Sequence, residues 1–172
     1  NNDSDIGIGL YLEKRNVYQG NNYISKLNSK SKRDIHVGID IFAKAGTNIR
    51  APLDGKVFIL KNNDFEYDYG PTIILEHKIN NLDKFYTIYG HLSKKCLKIL
   101  HVGKKIKKNT IIAEIGNYPI NGNWPPHLHF QIALDMMGEK ENFPGVSEDI
   151  LLHIWSKISP DPNLILGIPN SF

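Results

Sequence analysis

One cysteine in 172 residues, Cys96, excludes an internal disulfide and any thiolate-rich structural zinc site. It lies in LSKKCLKIL with no neighbour that marks an activated thiolate, so it is read as a small buried hydrophobe rather than a nucleophile. No apolar run approaches the ~20 residues that cross a bilayer, and the chain is read as soluble, without a membrane span. The opening NNDSDIGIGL has neither the basic start nor the long apolar core of a signal peptide, and it begins at Asn1 rather than Met, so the expectation is a piece excised from a longer protein with further domains. Aromatics are missing from the lysine-rich stretch KKCLKILHVGKKIKK (94–108), whereas a nucleic-acid groove adds stacking rings; no nucleic-acid partner is expected. The bland reading of those lysines is a solvated face, and the sharper one is attraction for an anionic polymer such as an acidic cell wall.

What is present suits one globular domain. Hydrophobic residues make up 41% and charged residues 23%, with a net charge of +3. The middle of the chain is a series of short β-type runs, IHVGIDIFA, TNIRAPL, KVFIL, TIILEH, FYTIYGHL, KIKKNTIIAEIG and HLHFQIAL, cut by Gly, Pro, Asn and Asp. Spacing of this kind predicts an all-β fold, an antiparallel sheet closing toward a barrel or sandwich, over residues 35–133. Asp54-Gly55 reads as a hairpin turn and Asn109 as a second turn. Residues 1–34 are polar and weakly patterned, which predicts an arm laid over the domain with little core. Toward the other end, 134–172, Ser147 is placed to cap a single helix carrying Ile150, Leu151, Ile154, Trp155 and Ile158 and stopping before Pro160; PDPNLILGIP then reads as a turn and an extended tail.

Two histidines stand out in WPPHLHFQI. On a strand, positions i and i+2 face the same way, so His127 and His129 present their rings to one side, each needing a buried partner if it were merely structural. By the same rule His36, Gly38 and Asp40 in IHVGIDI share a face, with no side chain between imidazole and carboxylate. Imidazole and carboxylate suit zinc, and a catalytic zinc keeps three protein ligands and one open position. His91, ending an apolar strand after Gly90, is a weaker candidate alone. His77, His101 and His153 read as structural or solvated.

Taken in order, HVGID, GTNIRAPLDGKV, YGHLS, VGKKIKKNTIIAEIG and PPHLHFQI resemble the M23-type zinc metallopeptidases, the lysostaphin- and LytM-like enzymes, over residues 34 to 133. The resemblance implies that His36, Asp40 and His129 bind one Zn2+ and that His91 and His127 are the catalytic histidines flanking the attacking water. It implies a zinc-dependent endopeptidase, with a peptide or peptidoglycan-like substrate. Two departures are visible: NGNWP puts bulky Trp124 at the expected groove rim, and Gln131 stands where glutamate is frequent, touching a hydrogen bond behind the ligands.

Other readings carry different biology. The segment after the metal strand is similar to M23-like modules fused to kinase-like and class III aminotransferase domains, which implies a non-wall substrate and a cytoplasmic setting, where a wall hydrolase works outside the cytoplasm. A degenerate M23 domain kept as a peptide-binding scaffold is a third reading. APLDGKV with VGKKIKKNTIIAEIG also resembles lipoyl and biotinyl carrier domains, but their modifiable lysine context is missing.

Overall fold

β-branched and aromatic runs punctuated by turn residues favour short extended segments. The computed structural model, which describes residues 6–18, 23–25, 31–79 and 83–169, is built from them. In chain order the elements are β1 (Gly7–Gly9), β2 (Ile35–His36), β3 (Ile39–Phe42), β4 (Asn48–Arg50), β5 (Gly55–Asn63), β6 (Gly70–Lys78), β7 (Lys84–Gly90), α1 (Cys96–Ile99), β8 (Lys105–Ile106), β9 (Ile111–Glu114), β10 (His127–Ala133), β11 (Val146–Ser147), α2 (Leu152–Ile158) and α3 (Asn163–Leu166). An antiparallel seven-stranded sheet runs β1-β3-β10-β7-β6-β5-β8, and two ribbons, β11–β2 and β4–β9, flank it.

Both faces of the sheet are covered. On one, Ile73 and Leu75 of β6, Tyr89 of β7, and Leu128 and Phe130 of β10 pack with Ile49, Ile112 and Cys96 from the β4–β9 ribbon and α1. On the other, Ile59, Ile74, Ile88 and Ala133 meet Met136, Phe143 and the half-buried Trp155 and Ile158 of α2. Double coverage is why GPTIILEHK in β6 is buried at every position but its last instead of alternating. Each fully buried Ile, Leu or Phe contributes roughly 1.5–3 kcal/mol.

Several local expectations are corrected. Asp54-Gly55 does not join a hairpin: β4 pairs with β9 while β5 pairs with β6 and β8, and Gly55 is not in the left-handed region. Its glycine is required because a Cβ would lie 2.8 Å from His77 Nδ1 and 2.9 Å from the Glu76 carbonyl oxygen. Asn109 does turn the chain, at φ 67°, with Thr110 N donating to Lys107 O at 3.1 Å. Ser147 lies in β11, its hydroxyl directed at the Glu148 carbonyl, and caps nothing; a 3-10 turn at Asp149–Leu151 opens α2 instead. Ile150 and Ile154 remain exposed, so only Trp155 and Ile158 dock. α2 does stop before Pro160, closed by Ser159 N donating to Trp155 O at 2.7 Å. The tail forms the one-turn α3, ended by Gly167 at φ 62°, and its Ile165 and Leu166 reach the first core. The arm also contributes more than expected: β1 adds a strand beside β3, and Tyr18 and Tyr23 are buried. Residues 1–5, 19–22 and 26–30 of that arm lie outside the described residues.

Candidate metal centre

The site begins with one row of cross-strand neighbours. In register across β1, β3, β10 and β7 stand Gly9, Asp40, His129 and Gly90. Directly opposed residues on antiparallel strands project from the same face, so Asp40 and His129 meet side by side between two glycines that leave room for other groups. Arg15 enters above Gly9, and the Tyr69 ring lies where a side chain on Gly90 would be. His36 arrives from β2, and Gly38 between it and β3 is required: a Cβ there would sit 2.5 Å from His129 Cε1 and 2.9 Å from the Phe130 carbonyl oxygen.

Three donor atoms converge. His36 Nε2 lies 2.9 Å from His129 Nδ1, His129 Nδ1 lies 3.1 Å from Asp40 Oδ1, and His36 Nε2 lies 3.2 Å from the same oxygen. Hydrogen-bond partners assign the tautomers. His36 Nδ1–H donates to the Leu10 carbonyl at 3.2 Å, leaving Nε2 bare. His129 Nε2–H donates to Gln131 Oε1 at 3.0 Å, leaving Nδ1 bare; the Gln131 amide is oriented by donating to Pro144 O at 3.1 Å and Ser159 Oγ at 2.9 Å. With neutral rings, three lone pairs face one another in a buried space with no hydrogen between them. A proton on one ring relieves part of that repulsion, whereas a divalent cation satisfies all three at once. Zinc with bonds of about 2.0–2.2 Å separates tetrahedral ligand atoms by about 3.3–3.6 Å, within a few tenths of an ångström of these distances. The donor set fits zinc.

The same face holds two more imidazoles. His127 Nδ1–H donates to Pro125 O at 2.6 Å and His91 Nδ1–H donates to Asn121 O at 2.8 Å, so each ring presents a bare Nε2. Their ring centres are 4.4 Å apart, and His127 Nε2 is 3.8 Å from Asp40 Oδ2. His91 is held at φ 60°, a conformation that costs a non-glycine residue about 1–2 kcal/mol, by hydrogen bonds from its N to Tyr69 O and from Gly116 N to its carbonyl. Burial keeps His36 and His127 below the ordinary histidine value, and burial plus the adjoining His127 keeps His91 well below it. Burial alone would raise Asp40, but the imidazoles of His36 and His129 outweigh it and hold the carboxyl well below the usual carboxylate range. Burial also works against the Arg15 guanidinium, and Asp40 more than offsets that, so Arg15 keeps its charge.

All five sequence-predicted residues, His36, Asp40, His91, His127 and His129, therefore line one cleft of about 980 Å³. That size is at the upper end for small-ligand pockets and admits several residues of an extended peptide. Trp124 does stand at its rim, its ring centre 6.2 Å from that of His91, 5.3 Å from Tyr67 and 6.1 Å from Tyr18. Sequence reasoning missed Arg15, the Leu10 carbonyl and the close approach at Gly9. The alternation of Gly7 and Gly9 in IGIGL was the available signal, since glycine repeated on one face of a strand marks a place where another group comes near.

Comparison with known proteins bears on the family and the fold. A family model described as Peptidase family M23 matches residues 34–142. The chain is 32% identical over 103 residues to a Haemophilus influenzae protein described as an uncharacterized metalloprotease; the match covers 58% of this chain and 19% of that protein, so this chain spans about a fifth of that relative's length. Its fold is similar to a mutant catalytic domain of the prophage-encoded M23 protein EnpA from Enterococcus faecalis, with TM-score 0.52 and 20% identity over 81% of this chain and 88% of the other. Lysostaphin of Staphylococcus simulans, in its solution structure, is similar with TM-score 0.52 and 24% identity over 88% of this chain and 51% of the other.

Proposed function

This chain belongs to peptidase family M23, and from that premise we propose that it is a zinc-dependent endopeptidase whose metal is held by His36, Asp40 and His129 and whose proton transfers are made by His127 and His91. The observation that carries the reading is the convergence of three bare donor atoms, with two further bare imidazole nitrogens in the same cleft. Zinc, when bound, supplies Lewis acidity toward the scissile carbonyl and lowers the pKa of water toward about 7.

The remaining chemistry is done by the chain. His127, neutral because it is buried, accepts the proton of the attacking water at Nε2 while the Pro125 carbonyl fixes its ring through Nδ1–H. The protonated ring then returns that proton to the leaving amine. His91, held through Nδ1–H by the Asn121 carbonyl, also has only a bare Nε2 to offer; it accepts there the second proton of the attacking water as the intermediate collapses to the product carboxylate. Trp124 and Tyr67 wall the cleft and limit water at the reacting bond.

For the substrate we take a peptidoglycan-type peptide, supported by the resemblance to lysostaphin- and LytM-like enzymes and by a lysine-rich face suited to an acidic polymer. A single domain spanning 1–172 is part of the same reading. The test is metal content beside turnover. Purified protein is expected to hold about one zinc, His129→Ala to lose it, and His127→Ala to keep it while losing turnover on wall fragments. Retention of zinc by His129→Ala contradicts the ligand set, and unchanged turnover in His127→Ala removes that residue from the mechanism. A zinc-loaded protein inactive on wall fragments but active on other peptides would transfer the assignment to a non-wall substrate.

A further inference from the structure

The arm reaches the metal centre through backbone pairing. Leu12 N donates to His36 O at 2.8 Å, His36 N to Glu13 O at 2.9 Å and Arg15 N to Asp34 O at 2.8 Å, so residues 12–15 run alongside 34–36. That pairing brings the Arg15 side chain over β1, where Gly9 stands opposite Asp40. Glycine leaves room for it. A Cβ on residue 9 would collide with Arg15 Nη2 and lie 3.2 Å from Asp40 Cβ.

From this passage Arg15 Nη1 donates to Asp40 Oδ2. The guanidinium is braced by Nε donating to Glu13 Oε2 at 2.9 Å and by the Tyr18 hydroxyl 3.3 Å from Nη1, and its side chain is only 15% exposed. A carboxylate meets a cation through one oxygen or two. Here one oxygen is committed to arginine, while Oδ1 alone lies 3.1 Å from His129 Nδ1 and 3.2 Å from His36 Nε2.

We propose that Arg15 is a positioning residue of the metal centre: it ties Oδ2 of Asp40 to the N-terminal arm, so that Asp40 offers a single oxygen to the ion. The inference rests on the proposed ligand set. Arginine suits the task because its rigid fork spans two carboxylates, Asp40 and Glu13, and cannot be neutralised. Restricting Asp40 to one oxygen holds the protein's share of the coordination sphere at three atoms, leaving a position for substrate chemistry. The arm is thereby part of the centre and not only a cover over it.

The test uses the full chain, zinc and cobalt(II). Zinc affinity is read by competition with a chelator, and coordination by the visible absorption of bound cobalt, which is intense with four ligand atoms and weak with five or six. Arg15→Met is expected to weaken zinc binding about tenfold or more, the usual scale for groups behind a metal ligand, and to lower the cobalt absorption as Asp40 becomes free to bind through both oxygens. Gly9→Ala is expected to shift both readouts the same way while removing no charge, because it evicts the guanidinium; it decides the matter if Arg15→Met does not fold. Wild-type affinity and a wild-type cobalt spectrum in these variants would overturn the Arg15 assignment. His129→Ala runs alongside: metal retained there defeats the ligand set itself, a result separable from failure of the Arg15 proposal.

Discussion

Gln131 shows how one atom type settles a site. Its Oε1 fixes the tautomer of His129, and its amide nitrogen donates to the Pro144 carbonyl and to Ser159 Oγ. A glutamate could accept from His129 equally well, but its second oxygen would then face the Pro144 carbonyl inside the protein. Gln131→Glu is therefore expected to cost about 1–3 kcal/mol of stability at neutral pH, the penalty for buried polar groups left unmatched. Urea midpoints of the two proteins check this, and equal midpoints would mean that the amide is oriented the other way. In the sequence Gln131 was visible as a departure, yet its second pair of partners came from residues 13 and 28 positions away, which no local pattern records.

At the scale of elements, the wall opposite the sheet hangs on Phe143. This ring is fully buried, packs edge-on to Trp155 at 5.9 Å and leads directly into Pro144 and Gly145, which contact Gln131 and Tyr69. Phe143→Ala is expected to cost about 3–5 kcal/mol, measured by denaturant unfolding, because the ring is fully buried in the second core and its removal leaves a cavity there. Much of the strand layout was legible: HLHFQIAL declares both its extended form and which residues share a face, whereas IHVGIDI is not one strand but breaks at Val37–Gly38, with β2 pairing β11 and β3 joining the large sheet, so His36 and Asp40 meet across that break. Less legible were the partners. Asp54-Gly55 looked like a hairpin because its chemistry is local, whereas β4 and β5 are recruited by different sheets through β9, β6 and β8. The arm's Arg15 was invisible for the same reason, since YLEKRNVY has no periodicity and its meaning lies in an aspartate 25 residues away. The left-handed backbone of His91 also depends on contacts with Tyr69 and Gly116, not on its own residue type.

The whole molecule carries four histidines that burial holds below their ordinary value: His36, His77, His91 and His127. His77 stands apart from the metal centre, its Nδ1–H donating to Asp54 O at 2.8 Å and its Nε2 lying 2.7 Å from Thr87 Oγ. Unfolding restores each to about 6.5, so below that pH the unfolded chain binds more protons than the folded one. Stability of the metal-free protein is then expected to be intact above about pH 6.5 and to fall as pH drops toward the folded values, by up to about 1.4 kcal/mol per pH unit for each histidine. Asp40, held low in the folded state, adds a further loss below about pH 4. Urea titrations with a chelator at pH 7.5, 6 and 5 measure the slope, and a flat profile would mean that these rings take up protons in the folded protein as readily as in the unfolded chain. Surface charge contributes far less. The exposed pairs Lys107–Asp54 and Lys95–Glu114, at 2.8 Å each, are worth about 0–1 kcal/mol.

Cys96 opens α1 with no accessible surface, and burial pushes its thiol up to about 11. The lone sulfur is thus a silent reporter: a thiol-labelling reagent finds nothing to modify until the helix lifts from the ribbon beneath it. Labelling rates in dilute denaturant would report how often that opening occurs, on the wild-type chain and without an added dye.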